Sequence, residues 1–151
     1  MRRFLPFLLL LATLAQAQTW PLFTAPDESF SVEFPGTPKA LPGGEGKHFG
    51  WAWSEGDIQY VAGYSIIPGY SELTEADEEK AMEVFVTGAM RNLKNPGQKP
   101  GPDDAVDIKG TNRDGLAVRM RVLPAPDENR IFVMKTVGGA DFERFFKSFK
   151  E

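Results

Sequence analysis

The C-terminal stretch Asp-Phe-Glu-Arg-Phe-Phe-Lys-Ser-Phe-Lys, residues 141–150, decides the fold because it predicts a helix that needs a partner. Its phenylalanines recur at i, i+3, i+4 and i+7, which places them on one stripe of an α-helix. They are Phe142, Phe145, Phe146 and Phe149. A helix this short is marginal in water. The stripe therefore predicts a sheet beneath it, with each buried ring contributing roughly 1.5–3 kcal/mol.

Strand-like runs upstream of this helix can supply the sheet. Runs of apolar residues, several with a period of two, are bounded by Gly, Pro and Asp, which is typical of strands and turns. They cover residues 20–23, 30–34, 47–54, 58–67, 105–109, 116–122 and 130–137, and the first two read as a hairpin. The runs 58–67 and 130–137 are apolar on both sides, which favours central strands covered on both faces.

A second helix is predicted from Thr74 to Lys94. Thr74 begins a capping-box pattern, acids gather in the first turns, and apolar residues follow at helical spacing. Asn95-Pro96-Gly97 ends this helix, and a loop rich in Pro and Gly follows over 98–104.

These elements predict one α+β domain over residues 18–151, with an antiparallel sheet of about six to seven strands and two main helices. The chain is long enough for one hydrophobic core and too short for two. Because two strands are apolar on both faces, we favour helices on opposite sides of the sheet. The alternative places both helices on one side.

Residues 1–17 have the pattern of a secretory signal peptide. Arg2 and Arg3 precede an apolar run of about a dozen residues, which is shorter than the roughly 20 that a membrane span needs. The site Ala15-Gln16-Ala17 fits cleavage before Gln18, so we predict a periplasmic or secreted bacterial protein with no membrane span after cleavage. The chain has no cysteine, which excludes attachment as a lipoprotein.

The chain carries a formal charge of −4, and loss of Arg2 and Arg3 would make it −6. This acidic balance argues against nucleic acid and anionic membrane as general partners.

The mature chain resembles the broad PsbP and Mog1-like family. The resemblance rests on Phe30-Ser-Val-Glu-Phe-Pro-Gly, on paired strands ending in an Arg-containing hairpin, and on the closing Phe145-Phe146-Lys-Ser-Phe149 helix. It implies an α/β/α sandwich and a non-enzymatic accessory role. PsbP-type members are extrinsic proteins of a membrane complex, and Mog1 binds a small GTPase. The resemblance assigns no functional residue here.

The chain has few of the side chains that common catalytic mechanisms use. There is no thiol, no Gly-x-Ser-x-Gly elbow, and His48 is the only histidine, so the chain offers little support for a nucleophile with its base. An ordinary zinc site is excluded by one His and no Cys. We interpret His48 as a surface or edge-strand imidazole; the alternative is a general base. We predict no catalytic residue, no metal and no cofactor; a hydrolase working with carboxylates alone would need two of them facing each other across a cleft.

Two acidic clusters leave calcium open as an alternative. Asp103, Asp104 and Asp107 form one cluster, and the acids that begin the helix at Thr74 form the other. Neither has EF-hand spacing. A solvated loop and the helix dipole account for them without a metal.

Two sets of side chains are candidate binding residues. Arg119 and Arg121 share one strand face about 7 Å apart. Together with Arg113, Arg130 and Lys109 they predict an anion or partner patch; the alternative is a solvated sheet surface. Trp51, Trp53, Tyr60 and Tyr64 lie on one aromatic face, which predicts core packing or a groove for a small apolar ligand or peptide.

These observations lead to two functional hypotheses. The first is a non-enzymatic exported accessory protein that docks on an envelope protein or complex. The second is a carrier of a small apolar ligand or peptide, with a pocket between the aromatic sheet face and helix 74–94. The sequence leaves the oligomeric state open.

Overall fold

The computed structural model describes residues 18–151, and the predicted signal peptide lies outside them. Over these residues the fold is α+β, as predicted: two α-helices accompany nine strands, which form a seven-stranded antiparallel sheet and a separate two-stranded sheet. The strands are β1 Leu22–Thr24, β2 Ser31–Glu33, β3 Lys39–Ala40, β4 His48–Glu55, β5 Ile58–Ile66, β6 Lys94–Pro100, β7 Val106–Thr111, β8 Ala117–Ala125 and β9 Arg130–Val137. The helices are α1 Glu75–Met90 and α2 Phe142–Ser148. None of the helices in residues 18–151 is long and apolar enough to cross a membrane.

The large sheet has the order β3-β4-β5-β9-β8-β7-β6, so β9 is its middle strand and β5 lies beside it. This strand order confirms the prediction that β5 and β9, which are apolar on both faces, are central strands. Gly63 allows β5 to lie close to β4, because a Cβ there would overlap the Phe49 carbonyl oxygen and lie 2.8 Å from the Gly50 Cα.

One face of the large sheet is covered by α2 and by the hairpin β1–β2, and we call it the α2 face. The hairpin forms as predicted, and Phe30, Val32 and Phe34 are all buried. Phe145 of α2 is fully buried and packs with its ring centroid 5.2 Å from Phe34 and 5.1 Å from Tyr60. The last residues pair with the hairpin, since Ser31 N–H donates to Lys150 O at 2.8 Å and Lys150 N–H donates to Ser31 O at 2.9 Å. The predicted aromatic stripe thus has its sheet.

The opposite face, the α1 face, carries a second apolar cluster that includes Met82 and Val86 of α1. Alternation along β9 separates the two clusters: Phe132 and Met134 join the α2-face cluster, whereas Ile131 and Val137 join the α1-face cluster. The arrangement with helices on opposite sides of the sheet, which the sequence favoured, is confirmed.

Helix α1 begins where the sequence predicts, but it ends earlier than predicted. Thr74 is the N-cap, and its side chain accepts a hydrogen bond from the Asp77 N–H at 3.3 Å. The predicted end at Lys94 and the predicted loop are wrong, because Lys94–Pro100 forms the edge strand β6. Prolines are tolerated there because the outer side of an edge strand needs no ladder partner.

Tyr70 lies in the α1-face cluster and gives a first test of this packing. Its side chain is fully buried, and its hydroxyl has no hydrogen-bond partner within residues 18–151. Burial raises the Tyr70 pKa, with a smaller contribution from Glu78.

We expect Tyr70→Phe to be as stable as the wild type or more stable by about 1 kcal/mol, since it removes an unpaired buried hydroxyl. Tyr60→Phe is the matched control, because the Tyr60 oxygen accepts the Asp141 N–H at 2.8 Å and its loss should destabilise. Urea unfolding of both variants measures these changes in the free energy of unfolding. A Tyr70→Phe variant less stable than Tyr60→Phe would contradict it.

Candidate binding groove

A groove runs over the half of the α2 face that the hairpin and α2 leave uncovered. Two adjoining depressions of about 340 and 520 Å³ share several residues and make it continuous. Side chains of β6, β7 and β8 form its floor, and α2 forms one wall. We call this surface the β6–β8 groove; it includes Lys99, Asp107, Lys109, Arg119 and Arg121 from the strands, and Phe142, Glu143, Phe146 and Lys147 from α2.

Strand register places the charged floor residues in two rows across the sheet. Lys109 pairs with Arg119 in one row, and Lys99 and Arg121 both pair with Asp107 in the next. Neighbouring strands are about 4.8 Å apart, and residues two positions apart in one strand are separated by about 7 Å. The floor therefore presents charged groups at regular, short spacings.

Both arginines of β8 lie against rings of α2. The guanidinium carbon of Arg119 is 4.7 Å from the centroid of Phe142, and that of Arg121 is 5.2 Å from Phe146. These distances are typical of cation–π contacts. The two α2 rings thus restrict the orientation of both guanidinium groups.

Arg121 also forms a two-pronged ion pair with Asp107. Its Nε donates to Oδ1 at 2.7 Å, and its Nη2 donates to Oδ2 at 2.8 Å. This hydrogen bonding raises the pKa of Arg121, outweighing the opposite effect of partial burial. Gly101 leaves room for the carboxylate, because a Cβ there would lie 3.0 Å from the Asp107 Oδ1.

The groove is cationic on an acidic chain. Its lining contains five cationic side chains and three carboxylates, whereas the whole chain carries a formal charge of −4. Within residues 18–151, no carboxylate lies within salt-bridge distance of four of those cations, Lys99, Lys109, Arg119 and Lys147. The groove thus attracts anions more strongly than the net charge suggests.

Arg130 was predicted as part of the same patch, but the structure places it elsewhere. It pairs with Ala125 in register, four residues along β8 from Arg121, which is roughly 13 Å. Its Nη1 donates to Asp27 Oδ2 at 2.9 Å, and its guanidinium carbon lies 4.3 Å from the centroid of Tyr64. Arg130 therefore attaches the β1–β2 turn to the sheet.

Asp27 is the acceptor at that attachment. Partial burial would raise its pKa, but hydrogen bonds from Ser29, Tyr64 and Arg130 together outweigh burial and lower the pKa from 3.8 to about 2. Burial and the hydrogen bond to Asp27 raise the pKa of Tyr64.

We expect this attachment to weaken in acid. A carboxylate with a lowered folded-state pKa stabilises the fold above its unfolded-state pKa, and that contribution is lost as the pH falls from near 3.8 through about 2. Because the Asp27 side chain is 36% exposed, we expect a loss of only about 1 kcal/mol. Urea unfolding should show that the difference in free energy of unfolding between the wild type and Asp27→Asn shrinks as the pH falls from 5 to 2. A constant difference across this range would contradict the assignment.

The four aromatic residues predicted as a ligand groove pack within the α2-face core. Tyr60 and Tyr64 are buried, and Trp51 and Trp53 are half-buried beside them. The Trp51 ring lies 5.3 Å from Phe23 and 5.8 Å from Phe30. Because α1 lies on the other face, the predicted pocket between these aromatic residues and helix 74–94 is wrong in its location.

The remaining candidate groups are dispersed. Asp103 and Asp104 lie in a turn with positive φ, while Asp107 bonds Arg121. Within residues 18–151, no group of three or more His, Asp or Glu side chains is close enough to hold a metal ion. His48 is exposed on the α1 face, with Nδ1 2.7 Å from the Ser65 Oγ.

Sequence reasoning found Arg119, Arg121 and Lys109 but missed the groove that joins them. Lys99 was missed because its segment was interpreted as a loop. The segment Lys-Asn-Pro-Gly-Gln-Lys-Pro, residues 94–100, combines the Lys and Pro residues that edge strands use to avoid pairing with other chains, which is the signal that could have indicated a strand.

Comparison with family models, curated proteins and solved structures found no match. The resemblance to the PsbP and Mog1-like family stays a prediction.

Proposed function

We propose that this chain is a non-enzymatic, exported accessory protein that docks an envelope protein through the β6–β8 groove. The observation that carries the proposal is the excess of cations along an open half of the sheet. The α1 face of the same strands has the opposite character: Ile108 of β7 and Val122 of β8 are buried in the α1-face cluster. Charged side chains concentrated on the uncovered face suit contact with a partner.

Export enters the proposal from residues 1–17, whose basic start, apolar run and small-residue site have the order of a secretory signal. An exported protein would meet its partner in the bacterial periplasm or outside the cell.

Site-specific photo-crosslinking tests the proposed surface. A photoreactive amino acid at Lys99, in the groove, is compared with one at Val84, which is 73% exposed on α1 and lies on the opposite side of the sheet. Irradiation of the envelope of producing cells should give one discrete crosslinked protein from position 99 and none from position 84. Equal crosslinking from both positions, or none from position 99, would reject the groove as the docking surface.

The crosslink must also depend on groove charge. In the variant with the photoreactive residue at position 99, adding Lys109→Glu should reduce the crosslinked yield, whereas adding Lys39→Glu should leave it unchanged. Lys39 is an exposed residue of β3, at the other edge of the sheet. Equal yields from the two would reject an electrostatic docking site.

A further inference from the structure

Two cross-strand pairs on the groove floor share one geometry but differ in charge. Arg121 of β8 faces Asp107 of β7, whereas Arg119 of β8 faces Lys109 of β7 in the neighbouring row. Each arginine lies against a phenylalanine of α2. The guanidinium carbon of Arg121 is 5.2 Å from the Phe146 ring centroid, and that of Arg119 is 4.7 Å from the Phe142 centroid. The first pair is a closed ion pair, and the second has two cationic residues at directly opposed positions of neighbouring strands.

The Arg121 pair shows how a carboxylate binds on this surface. The ring of Phe146 holds the guanidinium, and Asp107 meets its fork with hydrogen bonds of 2.7 and 2.8 Å. Such planar, two-pronged contacts suit arginine and carboxylate particularly well. Arg119 and Phe142 repeat the cation–π half of this arrangement, and within residues 18–151 no carboxylate lies within salt-bridge distance of Arg119.

The Arg119 and Lys109 pair is unfavourable by itself. Like charges directly opposite each other on neighbouring strands destabilise a sheet. The Lys109 side chain extends over Gly97 of β6, where a Cβ would be 3.6 Å from its Cε, and this leaves space beside Arg119. A carboxylate supplied from outside would relieve the repulsion and complete the pair.

We propose that Arg119 and Lys109 bind a carboxylate side chain of an extended acidic segment of the partner, as Arg121 binds Asp107. This inference rests on the proposed docking function. Lys99 lies one row further along the groove, about 7 Å away in the strand direction. The component along the strands equals the distance between side chains at i and i+2 of an extended chain, and Lys99 is also one strand across from Lys109, about 4.8 Å. Acids at alternate positions of a segment that crosses the strands obliquely would therefore meet the Arg119–Lys109 pair and Lys99.

A binding assay with defined peptides tests the chemistry. Fluorescence anisotropy follows a dye-labelled octapeptide of alternating Ser and Glu, with an alternating Ser and Gln peptide as control. The protein should bind the Glu peptide at least tenfold more tightly. Equal binding of the two peptides, or binding of anionic phosphatidylglycerol vesicles with no binding of the Glu peptide, would overturn the proposal.

Two variants separate the proposed contact from general charge. Arg119→Lys keeps the charge and loses the planar fork, so affinity for the Glu peptide should fall about fivefold. Lys109→Asp supplies the missing carboxylate from within the chain, so it should raise the melting temperature and weaken peptide binding at least twentyfold. Lys39→Asp makes the same charge change at the far edge and should do neither.

The outcomes distinguish this inference from the proposed function. Wild-type affinity in Arg119→Lys, or equal affinity in Lys109→Asp and Lys39→Asp, would overturn the carboxylate contact. The docking function would still stand if position 99 crosslinks a partner in the envelope.

Discussion

Phe145→Ala should destabilise the protein by about 3–5 kcal/mol, the range expected for deleting a buried ring. Phe145 is fully buried, and its ring meets Phe34 from the hairpin and Tyr60 from the sheet. The substitution leaves a cavity where α2, β2 and β5 converge. Urea unfolding measures the loss as a lower midpoint with an unchanged slope.

Phe142→Ala is the matched control in the same helix. Phe142 is only half-buried and lies beside Arg119 at the groove, so its loss should cost less than half as much. If the two variants lost equal stability, the claim that α2 is fixed mainly through Phe145 would be contradicted.

Reversing two charges in the groove should abolish most partner binding. The double variant Arg119→Glu with Lys109→Glu turns two expected attractions into repulsions. Two attractions are lost and two repulsions are gained, each worth roughly 0.5 kcal/mol for an exposed pair. The binding free energy should therefore weaken by about 2 kcal/mol, or roughly 30-fold in affinity. Anisotropy with the alternating Ser and Glu peptide measures the change.

The control for this variant has the same net charge. Lys39→Glu with Lys80→Glu places the reversals on β3 and on α1, away from the groove. This variant should bind within twofold of the wild type. Equal weakening in both double variants would mean that overall charge, and not the β6–β8 groove, governs binding.

The sequence could predict the layers of this fold because each depends on local periodicity. Phe142, Phe145, Phe146 and Phe149 marked α2, and the two apolar faces of residues 130–137 marked the middle strand. Long-range pairing has no such signal. The contact of β5 with β9 joins residues far apart in the chain, and only the folded register places Tyr60 opposite Thr136.

The candidate site was only partly predictable for the same reason. Alternation along β8 put Arg119 and Arg121 on one face, but it could not show that Asp107 closes one pair and Lys109 leaves the other open. Arg130 was grouped with them by charge alone, and the structure gives it a different partner, Asp27. Lys99 depended on recognising β6, whose prolines resemble those of a loop.

The central claim is that the open half of the α2 face is the binding surface. Two-dimensional NMR of the ¹⁵N-labelled protein, titrated with the alternating Ser and Glu peptide, tests it most directly. Chemical-shift changes should concentrate in the backbone amides of β6, β7 and β8 around Lys99, Lys109 and Arg119, while α1 stays unchanged. Changes centred on α1 or on β3 and β4, or no change at saturating peptide, would contradict the account.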